Sequence, residues 1–493
     1  MFLAARADFL LPLADPDPHV RIRDGYVLAE GDRIREAGPW TPAVAERLRG
    51  LGDRLAVIGT PDRRPLPGPD PVPRRHAVLL PGFVKAHGHD HEQLIIGVAK
   101  DEPLTDWLDH AVNPFSAFMR QEGARLAADL GCTPQHAAYR LARLCDVHYG
   151  ITASMIQACN YNKFHVEDLA RANENAGTSM IIAIGSQDRH YVAEILDRPK
   201  DALGRLDRAW ARRGAWAATT VCPGPDQDFS NSRALLVPLK AWAREHGTLF
   251  HVHSSEEPRT TAWFRAEIEP GRTPVEYFDE IGVLDERTVL AHQVNCGPRD
   301  LEILARRGVR IVHNPLANTI LGSGMPPVVE MLAAGIPVAI STDGSGSADN
   351  QNILAAARLA SQYQKARLQD ASVLPAWQVL EMITRVPARI LGMDAGALAP
   401  GLRADFVLVD LSAPNLVPTR LDNVVENLIW AANGDEIDAV VARGRLLKEG
   451  GRVLPLEDGT APERILAAAE RLSEGFAAWR ATAAEMRGTG AHR

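Results

Sequence analysis

The sequence lacks an apolar run of the roughly 18 residues that a membrane-spanning helix needs. It also lacks a block of basic residues: 54 Lys and Arg are outnumbered by 62 Asp and Glu, which gives a formal net charge of −8. These two absences argue against a membrane protein and against general binding of nucleic acids or anionic membranes. No GxGxxG motif follows the first predicted strand, so nothing supports a dinucleotide-binding fold.

Cysteine is scarce and forms no pattern. The five cysteines are odd in number and contain no CxxC pair, which fits reduced thiols in a cytosol rather than a disulfide framework. They are Cys132, Cys145, Cys159, Cys222 and Cys296. The first twenty residues carry no basic region and no small-residue cleavage site, so we expect mature protein rather than a signal peptide. These features predict a cytoplasmic protein.

The 493 residues are 46% hydrophobic, which is ample for a large core. From about residue 76, eight short apolar segments alternate with amphipathic helical stretches. Continuous apolar strands between helices indicate parallel strands buried on both faces. Eight such units predict an α/β fold with an eight-stranded parallel β/α barrel of the TIM type, and an open doubly wound sheet is the alternative. The segments are HAVLLPGFVKAH, ITASMIQA, TSMIIAIG, WAATTVC, TLFHVH, TVLAH, VRIVHN and PVAIST.

Both ends of the chain differ from the middle in their pattern of apolar and polar residues. Short alternating apolar pieces occur near the N-terminus and again in GLRADFVLVDLS and EIDAVVARGRLLKEGGRVL. We therefore predict a small β-sandwich domain built from both chain ends, in residues 1–77 and 394–458, around a barrel in 78–393. Residues 459–493 read as an amphipathic helical tail, which we expect to pack on the body or on a second subunit.

Histidines and acids stand where the predicted barrel strands end. His87 and His89 form an HxH motif, and residues i and i+2 of a strand point to the same side, so both imidazoles can reach one point. The carboxyl ends of barrel strands gather on one rim, so residues far apart in sequence converge there. The other candidates on this rim are His253 with Glu256 three residues later, His292, His313 and Asp343.

Three neutral imidazoles and one carboxylate around an open position suit Zn²⁺, with Fe²⁺ as the alternative. Such an ion lowers the pKa of its bound water from about 15.7 to about 7, which provides a hydroxide nucleophile at neutral pH. Glu256 and His292 would stand close enough to move protons. Each residue alone is weak evidence, because a histidine at a strand end is often only a hydrogen-bonded structural residue. The coincidence of four strand ends favours a metal site.

These motifs resemble the amidohydrolase superfamily, in the branch of cytosine, guanine and S-adenosylhomocysteine deaminases and triazine hydrolases. The matching segments are PGFVKAHGH (81–89), HVHSSEE (251–257), VLAHQ (289–293), VHNPLANTILGSG (312–324), STDGSGS (341–347) and LGMDAGALAPGLRADFVLVDLS (391–412). The resemblance implies one divalent metal ion, because no Lys follows the fourth strand to bridge a second one. It implies the metal ligands His87, His89, His253 and Asp343. It also implies a proton shuttle at Glu256, a catalytic histidine at His292 and a proton acceptor for the metal-bound water at Asp343.

The first motif departs from the family pattern. Lys85 and Gly88 stand where Asn and Thr are usual, and Asp90 and His91 follow at once, for which the sequence offers no reason. Guanine-type deaminases place a substrate-reading Gln where this chain has Glu92. A carboxylate accepts hydrogen bonds only, so it favours a substrate edge rich in N–H groups, although it could instead pair with a rim cation. The predicted substrate-binding residues are Glu92, Gln93, Asn160, Gln187 and His313.

From this resemblance we expect a hydrolase that deaminates an amino-substituted nitrogen heterocycle of the purine, pterin, pyrimidine or triazine type. One alternative keeps the metal but hydrolyses a cyclic amide or ureide, or displaces chloride or an amine from a triazine. A remote alternative is a non-catalytic assembly protein of the same fold. We expect a homodimer or a higher homo-oligomer.

Overall fold

The computed structural model describes residues 1–490 of the chain. Its seventeen strands fall into a barrel region and a sheet formed by the chain ends. The strands are β1 (Phe2–Leu10), β2 (Ile22–Glu30), β3 (Arg33–Pro39), β4 (Leu55–Val57), β5 (Arg75–Pro81), β6 (Phe83–Lys85), β7 (Ile151–Ala158), β8 (Ser179–Ser186), β9 (Thr219–Pro225), β10 (Phe250–Ser254), β11 (Thr288–His292), β12 (Arg310–His313), β13 (Val338–Ile340), β14 (Phe406–Asp410), β15 (Ile437–Ala442), β16 (Arg445–Glu449) and β17 (Arg452–Val453).

Helices alternate with the barrel strands. They are α1 (Pro42–Arg49), α2 (Leu104–Trp107), α3 (Asn113–Leu130), α4 (Pro134–His148), α5 (Val166–Ala176), α6 (Pro199–Arg212), α7 (Arg233–His246), α8 (Pro258–Trp263), α9 (Pro274–Glu280), α10 (Pro298–Arg307), α11 (Pro315–Ile320), α12 (Val328–Ala333), α13 (Ser345–Ala348), α14 (Ile353–Leu368), α15 (Ala376–Glu381), α16 (Arg385–Leu391), α17 (Val424–Trp430) and α18 (Pro462–Gly490). Of these helices, α1, α17 and α18 belong to the chain-end segments. A π-helical turn over Leu108–Val112 joins α2 to α3.

The eight barrel strands form two four-stranded parallel sheets, in the orders β6-β7-β8-β9 and β10-β11-β12-β13. Within residues 1–490 no strand ladder joins these sheets, so the ring of backbone hydrogen bonds is not closed. Hydrogen bonds outside the strand ladders bridge the two gaps. The His253 N–H donates to the Asp226 carbonyl (3.1 Å), and the His87 N–H donates to the Ser341 hydroxyl (3.2 Å). Both bridges lie at the carboxyl ends of the strands.

Strand burial explains why the barrel segments show no alternation of apolar and polar residues. Every residue of β7 and β8 is buried, because neighbouring strands, helices and the barrel interior enclose both faces. The helices begin at recognisable capping residues. The Thr133 hydroxyl accepts from the His136 N–H at the start of α4, and Thr273 and Glu276 form a capping box at the start of α9.

The chain ends meet in one nine-stranded sheet, ordered β17-β16-β15-β14-β5-β1-β2-β3, with β4 beside β1. The first predicted barrel segment is therefore divided: β5 pairs with β1 and β14, and only β6 enters the barrel region. Gly82 stands at the division, where a Cβ atom would overlap the Thr152 side chain. The predicted assembly of both ends is observed as a single sheet, and a two-layer sandwich is not confirmed.

The C-terminal helix α18 lies against α3. Phe476 packs on Phe115 and Phe118, with ring centroids 5.1 and 5.5 Å apart, and Trp479 stacks on Phe476. This agrees with the predicted packing of the tail on the body; its last three residues, 491–493, lie outside the described part. None of the described helices combines the length and the hydropathy that crossing a bilayer demands.

Candidate metal centre and active site

Four predicted ligands converge at the carboxyl ends of the barrel strands. His87 and His89 follow β6, His253 lies on β10, and Asp343 follows β13. His87 Nε2 is 3.2 Å from Asp343 Oδ1, His89 Nε2 is 3.5 Å from the same oxygen, and the Nε2 atoms of His89 and His253 are 3.1 Å apart. Parallel strands bring these residues together because their ends share one rim.

Hydrogen bonds orient all three imidazoles the same way. His89 Nδ1 is 3.2 Å from the Gln157 carbonyl, and His253 Nδ1 is 2.8 Å from the Asp226 carbonyl. A carbonyl only accepts, so each Nδ1 carries the proton and each Nε2 presents a lone pair. His87 reaches the same state through His251: His251 Nδ1–H donates to the Val289 carbonyl (3.0 Å), which leaves His251 Nε2 to accept from His87 Nδ1 (2.7 Å).

The sequence analysis did not identify His251 as a site residue, although the HVH segment pointed to it. It stands two residues before His253 in the segment HVH, and strand alternation places both side chains on one side of β10. Its ring lies behind His87 and fixes the tautomer and orientation of that ligand. Partners of this kind are part of metal sites, because they hold the ligand lone pair toward the ion.

The donor set fits a single tetrahedral ion. With bonds of about 2.0–2.1 Å, two ligand atoms of a tetrahedral zinc site lie roughly 3.3 Å apart, which matches the separations of 3.1 to 3.5 Å. The Nε2 of His87 is buried without a hydrogen-bond partner. Burial lowers the pKa of His87 and His89 well below the usual range, so both are neutral, as metal ligands must be.

Glu256 and His292 face this donor set. His292 Nε2 lies 3.6 Å from Glu256 Oε2 and 3.6 Å from Asp343 Oδ2. The Gln227 amide donates to Glu256 Oε2 (3.0 Å), and Asn318 Oδ1 accepts from His292 Nδ1 (2.8 Å). Burial raises the pKa of Glu256 to about 8 and lowers that of His292. The site thus holds a carboxyl group suited to proton transfer and a neutral imidazole whose Nε2 points at the reaction space.

Backbone strain is concentrated at the same rim. Four residues have left-handed backbone angles, which residues other than glycine adopt at a cost in free energy. They are His292 (φ 74°), Asp343 (φ 70°), Asn160 (φ 51°) and Ser255 (φ 52°). Each residue stands at or just after the end of a barrel strand. Strained positions of this type persist where the surrounding structure holds a side chain in a required direction.

A pocket that is partly open to solvent lies over these residues. Its polar wall contains Glu92, Asn160, Asp226 and Gln227 besides the metal-site residues. Its apolar wall comes from α2, the following π-helical turn and the end of α11; it consists of Leu104, Trp107, Leu108, Val112 and Leu321. A concave site with convergent polar groups and a partly apolar lining is typical of small-molecule binding.

Glu92 reaches the cavity next to the metal donors. Its Oε2 accepts from the Ser347 N–H and hydroxyl, each at 3.2 Å, and the carboxylate passes so close to Gly344 that a Cβ there would overlap it. Burial and the nearby Asp343 carboxylate raise the pKa of Glu92 well above its usual range. Asn160 lines the same cavity, and its Oδ1 accepts from the Gln187 amide (3.2 Å).

Three other predicted substrate residues do not line the cavity. Gln93 accepts from the Ser345 hydroxyl on α13. Gln187 Oε1 accepts a hydrogen bond from Lys163 Nζ (3.0 Å), and the Gln187 amide donates to Asn160 on the side away from the cavity. His313 is buried on β12, and neither ring nitrogen has a hydrogen-bond partner in the described structure. The sequence places all three at strand ends or in the loops that follow them, but it cannot tell a residue facing the cavity from one directly behind it.

Buried charges explain the unusual residues around the HxH motif. Lys85 Nζ lies 2.8 Å from Asp146 Oδ1, Arg143 binds Asp90 through two hydrogen bonds of 2.7 and 2.6 Å, and Arg143 also reaches Asp146 (2.7 Å). All four side chains are at most 2% exposed. We call these four residues the buried tetrad. Because Lys85 and Asp90 flank His87 and His89, the tetrad anchors both ends of the metal-binding turn.

His91 belongs to a different cluster from the ligand set. It lies 4.0 Å from Cys159 Sγ, and Cys159 lies 3.5 Å from His89 Nδ1. These three groups are close enough to hold an ion. However, His89 Nδ1 already donates to the Gln157 carbonyl, so the ring offers only Nε2, on its other side, as a lone pair.

Similarity to known proteins covers nearly the whole chain. A 5'-deoxyadenosine deaminase from Methanothermobacter thermautotrophicus is 33% identical over 459 residues, which cover 92% of this chain and 96% of that protein. A 5-methylthioadenosine/S-adenosylhomocysteine deaminase from Pelotomaculum thermopropionicum is 31% identical and covers 91% of this chain and 93% of its own.

Solved structures share the fold. A zinc-bound adenosine deaminase from Xanthomonas campestris superposes with a TM-score of 0.80 at 24% identity, over 97% of this chain and 98% of its own. A zinc-complexed atrazine chlorohydrolase from Arthrobacter aurescens reaches 0.78 at 21% identity, over 96% of this chain and all of its own. The sequence profile of the amidohydrolase family matches residues 78–447, the region of the eight parallel strands and of the β/α TIM-type fold that the sequence predicts. The chain belongs to the amidohydrolase family.

Proposed function

We propose that the protein is a zinc-dependent hydrolase that releases ammonia from an amino-substituted nitrogen heterocycle, with adenine nucleosides as the first compounds to test. The observation that carries this proposal is the convergence of four metal donors, Glu256 and His292 at the base of one pocket. Relatives over 30% identical across most of the chain are named as deaminases of adenine nucleosides.

The zinc ion would be held by His87, His89, His253 and Asp343, whose lone pairs already point at one position. When bound there, zinc supplies a water molecule of lowered pKa next to the substrate. Fe²⁺ has the same ligand preferences and is the alternative. Metal content by elemental analysis of protein purified without chelators distinguishes the two.

The side chains supply the proton transfers of a deamination. Asp343 Oδ2, which faces His292, accepts a proton from the attacking water. Glu256 delivers its proton to the ring nitrogen beside the attacked carbon. It then takes the proton of the hydroxyl group on that carbon and passes it to the amine, so that the C=O bond forms, the C–N bond breaks and ammonia leaves; the proton held by Asp343 returns to Glu256. Because His292 is neutral and its Nδ1–H donates to Asn318 Oδ1, its Nε2 accepts a hydrogen bond from the attacking water. Glu92, whose pKa is raised by burial and by Asp343, forms hydrogen bonds with polar groups of the substrate at the cavity wall.

The test compares two adjacent glutamates. Glu256→Gln should lower kcat by at least about a hundredfold, the usual contribution of a general acid–base group, while zinc content stays unchanged. Glu257→Gln is the matched control: Glu257 is buried but caps α8 and binds Arg259 (2.8 Å) instead of lining the cavity. Its activity should remain within about threefold of the parent, given the modest worth of one cap.

Ammonia release is measured by a coupled assay on amino-purines, adenine nucleosides, pterins, pyrimidines and triazines. Wild-type rates in Glu256→Gln would contradict the role of Glu256. Ammonia from none of these compounds, with zinc present, would contradict deamination. In that case chloride release from a chlorotriazine, or opening of a cyclic ureide, would favour the alternative reactions.

The division into a barrel (78–393), two end segments (1–77 and 394–458) and a tail (459–493) is part of this proposal. Its support is the pairing of strands from both ends in one sheet. Limited proteolysis tests it, because cleavage should concentrate in exposed connections between these units. The homo-oligomer remains a prediction, which sedimentation velocity checks.

A further inference from the structure

A buried lysine lies behind the polar wall of the cavity. Lys163 is fully buried in the turn that follows β7. Its Nζ donates to Gln187 Oε1 (3.0 Å), to Asp197 Oδ2 (2.7 Å) and to the Ile195 carbonyl. Burial lowers the pKa of this amine to about 8, so the ammonium form prevails at pH 7. An ammonium group has three N–H donors and no acceptor, and these three contacts use all three donors.

The contact with Lys163 fixes the orientation of the Gln187 amide. Because Lys163 can only donate, Gln187 turns its oxygen toward the lysine and its nitrogen to the other side. The Gln187 Nε2 therefore donates to Asn160 Oδ1 (3.2 Å). Gln187 is fully buried just after β8, so solvent does not compete for either end of its amide.

The same reasoning sets the amide of Asn160, which lines the cavity. Since its oxygen accepts from Gln187, its nitrogen is the end that stays available. In the described part of the chain the partner of Asn160 Nδ2 is Cys159 Sγ at 3.9 Å, and a thiol sulfur is a weak acceptor. The surrounding structure holds Asn160 at the wall in spite of its left-handed backbone angle (φ 51°).

We propose that Lys163, Gln187 and Asn160 form a hydrogen-bond relay that makes Asn160 Nδ2 a donor to an acceptor atom of the substrate. The inference rests on the proposed function, because it concerns binding in the same site. Lys163 and Gln187 are positioning residues: neither touches the substrate, and both act through Asn160. A nitrogen heterocycle offers such acceptors in its ring nitrogens that carry no hydrogen, such as N7 of adenine.

Gln187→Glu tests the direction of the relay in the zinc-loaded protein. The new carboxylate still accepts from Lys163 but cannot donate, so the Asn160 amide turns its nitrogen toward it and presents its oxygen to the cavity. The acceptor of the substrate then meets an acceptor of the protein, so KM should rise at least about tenfold. Binding that is lost equally in the ground state and the transition state leaves kcat within about twofold of the parent.

Gln364→Glu is the matched control. Gln364 is also fully buried, accepts from Arg367 (2.7 Å) and donates to the Pro326 carbonyl (2.8 Å), but it lies on α14 and does not line the cavity. Both variants should lose stability, whereas only Gln187→Glu should raise KM for the compound that the parent deaminates fastest at pH 7. If the buried carboxylate prevents folding, Gln187→Met removes the same donor without a charge and should raise KM about threefold. An unchanged KM in the folded Gln187 variant would overturn the relay.

A glycine background shows whether the effect passes through Asn160. Asn160→Gly removes the amide and keeps the backbone angle, which glycine adopts without strain. In this background Gln187→Glu should leave KM within about twofold of its value for Asn160→Gly alone. An equal rise in KM with and without the Asn160 side chain would overturn the assignment, because the two substitutions would then be independent.

Failure of the proposed function has a different signature. If no compound releases ammonia while zinc is bound, deamination is wrong, and the relay is then decided by neutron diffraction from crystals of the zinc-loaded parent at pH 7, which locates the hydrogens of both amides. Deuterium on the Gln187 nitrogen facing Asn160 Oδ1 would support the relay. The opposite orientation of either amide would overturn it.

Discussion

Replacing Lys85 by Met tests whether the buried tetrad holds the metal-binding turn. Lys85 Nζ binds Asp146 (2.8 Å) and Gln351 Oε1 (2.9 Å), and Gln351 in turn donates to the Asp343 carbonyl (3.2 Å). The substitution keeps the aliphatic length of the side chain but removes its charge. It leaves Asp90 and Asp146 with Arg143 as their only cationic partner in the tetrad.

Two effects of different size follow. Removing one partner of a buried ion pair costs about 3–5 kcal/mol of folding free energy, since a charge stays buried without its partner. Loss of a side chain that positions metal ligands typically weakens metal affinity by about 10–100-fold, which corresponds to roughly 1.4–2.8 kcal/mol. We therefore expect Lys85→Met to bind zinc 10–100-fold more weakly than the parent, in addition to its lower stability.

Lys240→Met is the matched control. Lys240 is also buried and binds Asp285 and Thr288, but at the opposite end of the barrel from the metal site. Zinc Kd is measured by chelator competition and folding free energy by urea unfolding of the zinc-free proteins. Both variants should lose stability, and only Lys85→Met should lose zinc affinity. Equal zinc Kd in the two variants would refute the positioning role of the tetrad.

Three further outcomes are expected. Gly344→Ala should lower kcat/KM at least about tenfold, because the new Cβ overlaps the Glu92 carboxylate, whereas Gly214→Ala, which meets no atom within 4 Å, should have no effect. Zinc at a thousandfold excess over its Kd should stabilise the protein by about 4 kcal/mol, seen as a fall in Tm after chelation; an unchanged Tm would contradict a bound ion. Burial raises the pKa of Asp405 to about 6, so the native state holds this proton more tightly than the unfolded state. The folding free energy contributed by this group is therefore lost as the pH rises from about 4 to about 6. Asp405→Asn keeps an acceptor for the Arg443 N–H and should raise Tm at pH 8 but not at pH 4; an equal effect at both pH values would contradict this account.

Local patterns in the sequence were enough to predict the strand order and the residues that converge. Parallel barrel strands must end on one rim, so the positions of His87, His89, His253 and Asp343 at strand ends already implied their meeting. The same reasoning missed the division of the first segment into β5 and β6. That division depends on the pairing of β5 with β14, more than 300 residues away in the chain, and no local pattern encodes such a partner.

The substrate-facing residues could be predicted only in part. Glu92 and Asn160 line the cavity, but Gln187 lies one layer behind Asn160, a distinction of a few ångströms that sequence position does not carry. The roles of Asp90 and Lys85 were equally hidden. Their partners Arg143 and Asp146 lie on α4, and only the packing of this helix against the metal-binding turn brings the four charges together.

By itself the sequence determined the chemistry that is available: which side chains can bind a metal, which can carry a proton, and the order in which the strands present them. The tertiary structure decided which of those groups act together. It set the tautomers of three imidazoles through carbonyls and His251, and it gave the cavity a polar and an apolar wall. The reason is physical: hydrogen-bond direction, burial and charge pairing depend on distances between residues far apart in the chain, and those distances exist only after folding.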